Sequence, residues 1–211
     1  MKSTRSTLLS QRAWLAAGLV ASLAAAAALV PSSVSAAASK CSYPSLTKPF
    51  APWSDTADYT LVTGGSFEQT GNAAWTLAGA KIVAGNETFF VHGKGESKSL
   101  SLPDLSTATT PVSCVSEATP SIRFFAKNDG ALSSALTVDA GVAAGKGTTW
   151  TRLATLTAST PDWSPSPIIL LNLPKTAFAS GTAKVVFRFT AQGGGGAWQI
   201  DDLYLDPFKR T

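Results

Sequence analysis

After residue 58 the chain is a succession of short runs of β-branched, aromatic and apolar residues, each closed by a turn signal such as Gly85-Asn86 or Ser180-Gly181. No stretch in this part of the sequence sustains a helical period. The strand-like runs are 80–84, 87–92, 97–102, 111–115, 120–127, 134–140, 149–156, 166–172, 183–190 and 197–205. Many short strands at regular spacing predict an all-β fold, with the strands in a β-sandwich or jelly roll.

Alternation along two of these runs, 120–127 and 183–190, separates a core face from an outer face. The predicted core residues are Ile122, Phe124, Ala126, Val185, Phe187 and Phe189. The opposite side gathers Arg123, Phe125, Lys127, Arg188 and Thr190. If the two strands share a sheet, this second set forms a cationic surface with an aromatic platform. Such a surface suits an acidic or sulfated glycan, because arginine holds carboxylates in bidentate pairs. The alternative is a solvated sheet face that is kept charged against aggregation.

The first 38 residues have the composition of a secretory signal peptide. Lys2, Arg5 and Arg12 precede an uncharged apolar run from Ala13 to Val30, and small residues follow it. A retained anchor is the alternative, since about 18 apolar residues reach the lower limit for a membrane-spanning helix. We therefore predict a signal peptide over 1–38 and a secreted, extracellular protein with no membrane contact after cleavage.

The charge balance excludes one class of partner. Removing the signal leaves 14 basic residues against 13 acidic ones, so the basic character of the whole chain comes mostly from the export segment. A nearly neutral domain gives no reason to expect a nucleic-acid partner.

The residues of hydrolytic chemistry are missing as well. The single histidine, His92, has no nucleophile elbow to serve. Asp201 and Asp202 are adjacent, so alternation points them to opposite faces, unlike the paired carboxylates of a glycosidase. We do not expect an enzyme.

The segment 39–58 is an N-terminal arm in which three prolines exclude a long regular element, and its Phe50 and Trp53 are expected to pin it onto the sandwich domain, 59–211. Cys41 and Cys114 are the two cysteines. An even pair in an exported chain predicts one disulfide, whereas a metal site would need CxxC spacing that is not present.

Five tryptophans follow the signal segment, and they divide by position. Trp75 and Trp198 lie on or beside predicted strands and are expected in the core. Trp163 lies in a proline-rich loop. For Trp163 and Trp150 the sequence leaves two alternatives open, a sugar-binding platform and a place in the core.

Two motifs near the ends of the domain carry a family resemblance. The first is Leu61-Val62-x-Gly64-Gly65-Ser66-Phe67-Glu68 with Trp75, and the second is Trp198-x-Ile200-Asp201-Asp202-Leu203. Together they resemble the galactose-binding-like jelly rolls, especially carbohydrate-binding modules. The layout is also similar to that of a group of exported bacterial proteins of unknown function.

The resemblance implies a jelly-roll β-sandwich in which the first and last strands pair. It also implies a structural calcium held by Glu68 and Asp201, with Asp202 as a second candidate. Thr63 stands where the family commonly has asparagine, which removes one amide oxygen from that site. In the alternative without an ion, these carboxylates accept backbone N–H groups or pair with arginine.

The function that follows is a secreted, non-catalytic binding module that recognises a glycan or other cell-surface polymer. Its predicted ligand-binding residues are Arg123, Phe125, Lys127, Trp163 and Arg188. The alternative is a structural cell-envelope protein with no small ligand. Fold analogy alone does not decide between the two.

Overall fold

A computed structural model describes most of the predicted domain and arm. The described residues are 40–69, 75–118, 120–129, 132–144, 147–157, 161–195 and 198–208. All of them fall within one compact unit, Ala37–Thr211. The predicted signal peptide, 1–38, lies outside the described residues. Within the described ranges no helix combines the length and hydropathy needed to cross a membrane.

Strands dominate the described chain, and the helical segments are two short 3₁₀ turns, Ala51–Trp53 and Lys175–Phe178. The strands are β1 (Thr60–Leu61), β2 (Thr76–Ala78), β3 (Lys81–Ala84), β4 (Lys98–Leu102), β5 (Thr107–Thr109), β6 (Ser113–Ser116), β7 (Ser121–Asn128), β8 (Ala135–Ala144), β9 (Gly147–Leu156), β10 (Ser164–Pro165), β11 (Ile169–Leu170), β12 (Thr182–Gln192) and β13 (Trp198–Asp206).

These strands form two antiparallel sheets, which confirms the predicted β-sandwich. The seven-stranded sheet has the order β10-β7-β13-β4-β3, with β1 paired to β13 and β11 paired to β7. The six-stranded sheet has the order β2-β5-β12-β8-β9, with β6 paired to β12. The first and last strands pair as the resemblance implied, with Thr60 opposite Leu205.

The main core lies between the sheets and contains the residues that alternation predicted. Phe124 of β7 and Phe187 of β12 are fully buried there, and the ring of Phe189 meets that of Phe124 edge-on at 5.2 Å. Trp198 is buried in the same core, and Trp75 packs against it. Each fully buried side chain of this size contributes about 1.5–3 kcal/mol relative to leaving it exposed.

One predicted strand, 87–92, is wrong. The segment is a loop between β3 and β4, because the carboxylate of Glu87 accepts the N–H groups of Phe89, at 2.5 Å, and Val91, at 2.7 Å. A side chain that binds these nearby N–H groups replaces the ladder partners that a strand would need. Four short strands of the described chain, β1, β2, β5 and β10, have no counterpart among the predicted runs.

The predicted disulfide is confirmed. Cys41 is bonded to Cys114 of β6, and their Cα atoms are 5.5 Å apart. The bond ties the start of the N-terminal arm to the six-stranded sheet, although the arm ends in the seven-stranded one. The cysteines are separated by 73 positions in the sequence, and loop closure in the unfolded chain then corresponds to about 4 kcal/mol in the chain-entropy picture.

The arm covers part of the outer face of the seven-stranded sheet. Phe50 and Tyr59 from the arm side and Phe125 and Tyr204 from the sheet form a second buried apolar cluster. The Phe50 ring stacks on Phe125 at 5.3 Å, and Trp53 meets Phe125 at 5.4 Å. Phe50 and Trp53 therefore pin the arm to the sheet, as predicted.

Arg123 lies under this arm and not on an open surface. Its Nη1 donates to Asp55 Oδ2 at 2.8 Å, its Nε donates to the Ser166 carbonyl at 3.0 Å, and its guanidinium lies 4.4 Å from the Phe50 ring centre. Tyr59 Oη donates to the same Asp55 oxygen at 2.7 Å. The residue is 7% exposed, so Arg123 is an internal link between arm and sheet.

We expect Arg123→Ala to destabilise the protein by about 3–5 kcal/mol, because it leaves the buried carboxylate of Asp55 without its cation. Thermal unfolding measures the loss. Lys48→Ala removes a cation from an exposed ion pair with Asp58, 3.0 Å apart, and should cost about 1 kcal/mol or less. Equal melting temperatures for Arg123→Ala and wild type would contradict the packed arm.

Candidate functional site

The last strand is irregular at its two adjacent carboxylates. Pairing between β13 and β7 breaks between Asp201 and Tyr204, and Asp202 has a φ of 49°. A non-glycine residue in the left-handed region is uncommon, and aspartate is among those that tolerate it. The bulge breaks alternation, so the expectation that Asp201 and Asp202 point to opposite faces is wrong. Both carboxylates are directed toward the loop 85–97 between β3 and β4.

Asp201 holds this loop in place. Its Oδ2 accepts the N–H of Glu87 at 3.0 Å, and its Oδ1 accepts the N–H of Asp202 at 2.9 Å. The Glu87 carboxylate in turn accepts two N–H groups of its own loop. The two buried acids thus link the last strand to the loop by consecutive hydrogen bonds. Each of their four carboxylate oxygens thus accepts one backbone N–H.

Asp202 differs from its neighbour: it is fully buried, and neither of its oxygens accepts a hydrogen bond of normal geometry, although the backbone N–H of His92 is close enough to favour its charged form. Its carboxylate lies beside His92 and Glu96, and one ligand atom from each of the three residues lies within 4.8 Å of the others. His92 Nδ1 contacts Glu96 Oε1, whereas Glu96 Oε2 is buried without a partner. These unpartnered oxygens form a pocket of negative charge that a cation would complete.

Burial and the nearby acidic groups raise the pKa values of Asp201, Asp202 and Glu87. Burial, followed by the charge of Asp202, raises the pKa of Asp201 to about 9. Burial, followed by the charges of Glu96 and Glu87, raises the pKa of Asp202 to about 8, and the nearby His92 N–H offsets this only in part. Burial also raises the pKa of Glu87. In the described part of the chain, no lysine or arginine forms an ion pair with any of these acids.

The calcium ligands that the resemblance implied occupy different environments. Glu68 Oε1 accepts the N–H groups of Ser97 and Lys98, each at 2.6 Å. Asp201 is engaged as described above, so Asp202 is the member of that set whose carboxylate oxygens accept no hydrogen bond of normal geometry. Because Asp202 and Glu96 carry unpartnered oxygens in one place, the residues present fit a divalent cation there.

Gly65 shows how tightly the first motif packs on the last strand. A side chain at this position would meet the carbonyl oxygens of Leu203, at 2.7 Å, and Val62, at 2.9 Å. The Leu203 N–H donates to the Gly65 carbonyl at 3.1 Å. The glycine is thus required for close contact with β13, next to the carboxylates.

A second constellation lies on the outer face of the six-stranded sheet. Asp139 of β8, whose side chain is 5% exposed, accepts from Arg152 Nε at 2.5 Å and from Arg188 Nη2 at 3.1 Å. The Arg188 guanidinium lies 3.9 Å from the centre of the Trp150 ring. That ring lies against Gly141, where an added Cβ would come within 2.8 Å of it.

The structure separates the five predicted ligand-binding residues into three places. Arg188 is in the six-stranded sheet, whereas Arg123, Phe125 and Lys127 are in β7 of the seven-stranded sheet, and Arg123 and Phe125 are buried. Lys127 lies 5.7 Å from the Trp163 ring and 3.4 Å from Asp129. The single cationic face that a shared sheet would have created is therefore not present.

Sequence reasoning missed the partners that complete both constellations. Glu87 and Glu96 lie in or beside predicted strands, and the sequence predicts no role for His92. The four-residue spacing of His92 and Glu96 around two glycines was the available signal. For Asp139, its outward position in a strand beside Arg188 becomes visible only once β8 and β12 are paired.

Comparisons with known proteins concern the architecture. No protein-family model matches the sequence, and no curated protein matches it either. Among solved structures, the chain is similar to the CBM22-1 xylan-binding domain from Paenibacillus barcinonensis Xyn10C, with 13% identity, a TM-score of 0.47, and coverage of 70% of this chain and 94% of that one. It is also similar to TmCBM61, solved with beta-1,4-galactotriose, with 14% identity, a TM-score of 0.44, and coverage of 71% and 98%.

A family 29 carbohydrate binding module gives 14% identity and a TM-score of 0.46, with coverage of 72% of this chain and 94% of that one. These neighbours are carbohydrate-binding modules, and the resemblance inferred from the sequence was to the same group. At such identities and TM-scores the likeness extends to no individual residue of this chain.

The raised pKa values predict how stability depends on pH without a bound cation. Unfolded aspartate has a pKa of about 3.9, so above that value the unfolded state loses protons that folded Asp201 and Asp202 retain up to about 9 and 8. The unfolded state then binds fewer protons, and stability falls as pH rises through this window. We expect the melting temperature of chelator-treated protein to decrease from pH 6 to pH 8.

Asp202→Asn tests the source of this slope. The amide removes the buried charge and still tolerates a positive φ, so the variant should show a shallower decrease than wild type. Glu117→Gln, at an exposed position, is the matched control and should retain the wild-type slope. A melting temperature that is flat or rises over this range in chelator-treated wild type would contradict the assignment.

Proposed function

We propose that this chain is an exported, non-catalytic β-sandwich module that binds an acidic glycan or similar acidic surface polymer. The proposed binding face is the outer side of the six-stranded sheet, centred on Arg188. The observation that carries the proposal is the group of Trp150, Arg188, Asp139 and Arg152, in which two arginines share one carboxylate.

The charge of this group favours an acidic ligand. One buried carboxylate balances one of the two guanidinium groups, so one positive charge is left over. The Arg152 and Arg188 side chains are 52% and 34% exposed, which leaves N–H groups of both available to solvent. A guanidinium presents these donors in a planar fork that matches a carboxylate or sulfate.

The group is also held in position before any ligand arrives. Stacking on Trp150 and the bond to Asp139 restrict the long side chain of Arg188, so less rotamer entropy is lost on binding. Partly exposed threonines flank it, since Thr109 is a strand partner of Arg188 and Thr190 lies opposite Thr107. Hydroxyl groups donate and accept, which suits the hydroxyls of a sugar.

The other sheet is a poorer candidate for the main face. There the arm covers Arg123 and Phe125, and Lys127 is already paired with Asp129. Trp163, which packs beside Lys127, is the remaining aromatic candidate on that side.

Retention on immobilised polygalacturonate tests the acidic-ligand proposal. Wild-type protein should be retained more on this polymer than on neutral dextran, and the retention should fall as salt increases. Arg188→Ala should reduce affinity at least about tenfold, since one charge-assisted hydrogen bond is worth about 1.5–3 kcal/mol. Lys81→Ala, which removes the same charge from an exposed position in β3, should bind as wild type does.

Equal retention of Arg188→Ala and wild type would exclude this face and direct attention to Trp163→Ala. Absence of wild-type retention on both polymers would favour a structural cell-envelope protein without a ligand.

A structural divalent cation at Asp202 is part of the proposal, with calcium as the ion that the family resemblance implies. Its oxygen ligands would be those of Asp202 and Glu96, and its charge would offset the repulsion among the buried acids. A ligand that binds only the folded state stabilises it, by about 2.7 kcal/mol at a hundredfold excess over Kd.

We therefore expect a chelator to lower the melting temperature and added calcium to restore it. Asp202→Asn should be insensitive to both treatments, whereas Glu117→Gln should respond as wild type does. Identical unfolding curves with and without chelator would exclude a structural cation, and they would leave the glycan-binding proposal untouched.

A further inference from the structure

The groups that converge on Asp202 differ chemically from a calcium site. Calcium takes about six to eight oxygen ligands. Glu68 and Asp201 direct their carboxylates to backbone N–H groups, so Asp202 and Glu96 supply the unpartnered carboxylate oxygens here. The third member of the cluster is the imidazole nitrogen of His92.

We propose that this site binds a transition-type divalent cation, represented by Zn²⁺, through His92, Glu96 and Asp202, and binds it more tightly than calcium. The inference rests on the cation component of the proposed function and replaces calcium as the preferred ion.

The ligand atoms are close enough for one such ion. Zinc bonds to nitrogen and oxygen are about 2.0–2.2 Å long, which places the ligand atoms of a tetrahedral ion about 3.5 Å apart. The three atoms lie within 4.8 Å of one another. Asp202 and Glu96 are held by their surroundings, whereas the His92 side chain is 44% exposed and can make the small adjustment that remains.

The nitrogen ligand decides the selectivity. Imidazole is a good ligand for zinc, copper and nickel, whereas the hard calcium ion prefers oxygen. Two carboxylates neutralise a divalent ion, so the buried cluster would lose its excess negative charge. Three protein ligands with one open position form the arrangement in which zinc keeps a water molecule.

His92 is the member of the cluster that faces solvent. His92 lines an open cavity of about 430 Å³ together with Tyr204, Thr60, Ser45 and Thr47. The cavity lies between the N-terminal arm and the last strand, so the exposed side of the imidazole faces an entry path. An accessible route is one requirement of a functional metal site.

Metal titration of untagged full-length protein, stripped with chelator, tests the proposal. Zinc, cobalt, calcium and magnesium chlorides are added separately, and melting temperature and calorimetric affinity are measured. We expect zinc to bind at least tenfold more tightly than calcium and to raise the melting temperature more at equal concentration. Cobalt should give a visible absorption band that reports nitrogen and oxygen ligands in a low-coordinate site.

His92→Gln separates the nitrogen ligand from the acidic cluster. Glutamine offers an amide oxygen, so the variant should lose zinc affinity at least tenfold and leave the calcium response unchanged. Asp202→Asn should lose both responses, and Glu117→Gln should retain both.

Calcium affinity equal to or above that of zinc would overturn the selectivity, as would wild-type zinc affinity in His92→Gln. No response to any of the four ions would overturn the structural cation together with this inference. Retention on polygalacturonate, measured separately, reports on the glycan face alone.

Discussion

Two adjacent carboxylates are buried on the central strand of one sheet, and the surrounding structure is arranged to accommodate them. β13 pairs with β1, β4 and β7, so the bulge at Asp201 and Asp202 lies in the interior of the sheet and not at its edge. Burying an ionised carboxylate without partners is costly. The loop 85–97 supplies the Glu87 N–H to Asp201, and it brings His92 and Glu96 to Asp202, whose oxygens accept no hydrogen bond of normal geometry.

The two outer faces of the sandwich differ in how much aromatic surface they would expose to water. On the seven-stranded sheet, Phe125 and Tyr204 would expose large aromatic surfaces, and the arm covers them with Phe50. The disulfide fixes the start of that arm, and it lowers the conformational entropy of the unfolded chain by closing a loop. The six-stranded sheet has an outer face of threonines and charged residues that can remain in water. A polymer-binding role therefore fits the second face better than the first.

Predictions from the sequence were wrong where a side chain bound the backbone or where a bulge shifted the strand register. Glu87 converted an apparent strand into a loop by binding two of its N–H groups. The bulge at Asp202 turned both carboxylates toward the same loop. Arg123 looked like a surface cation by alternation, but alternation reports only the side of a strand, and here that side faces the arm.

The sequence by itself determined the class of fold, the core and the disulfide. Alternation and turn residues are local properties, and the hydrophobic effect places the apolar side of each strand inside whichever sheets form. With two cysteines after the signal segment, only one disulfide pairing is possible. Only the tertiary structure decided the neighbours of each strand, and with them the sites. It placed Arg123 beside Asp55 and Arg188 beside Asp139, and it grouped His92, Glu96 and Asp202, because contacts between residues far apart in the chain depend on sheet pairing and register.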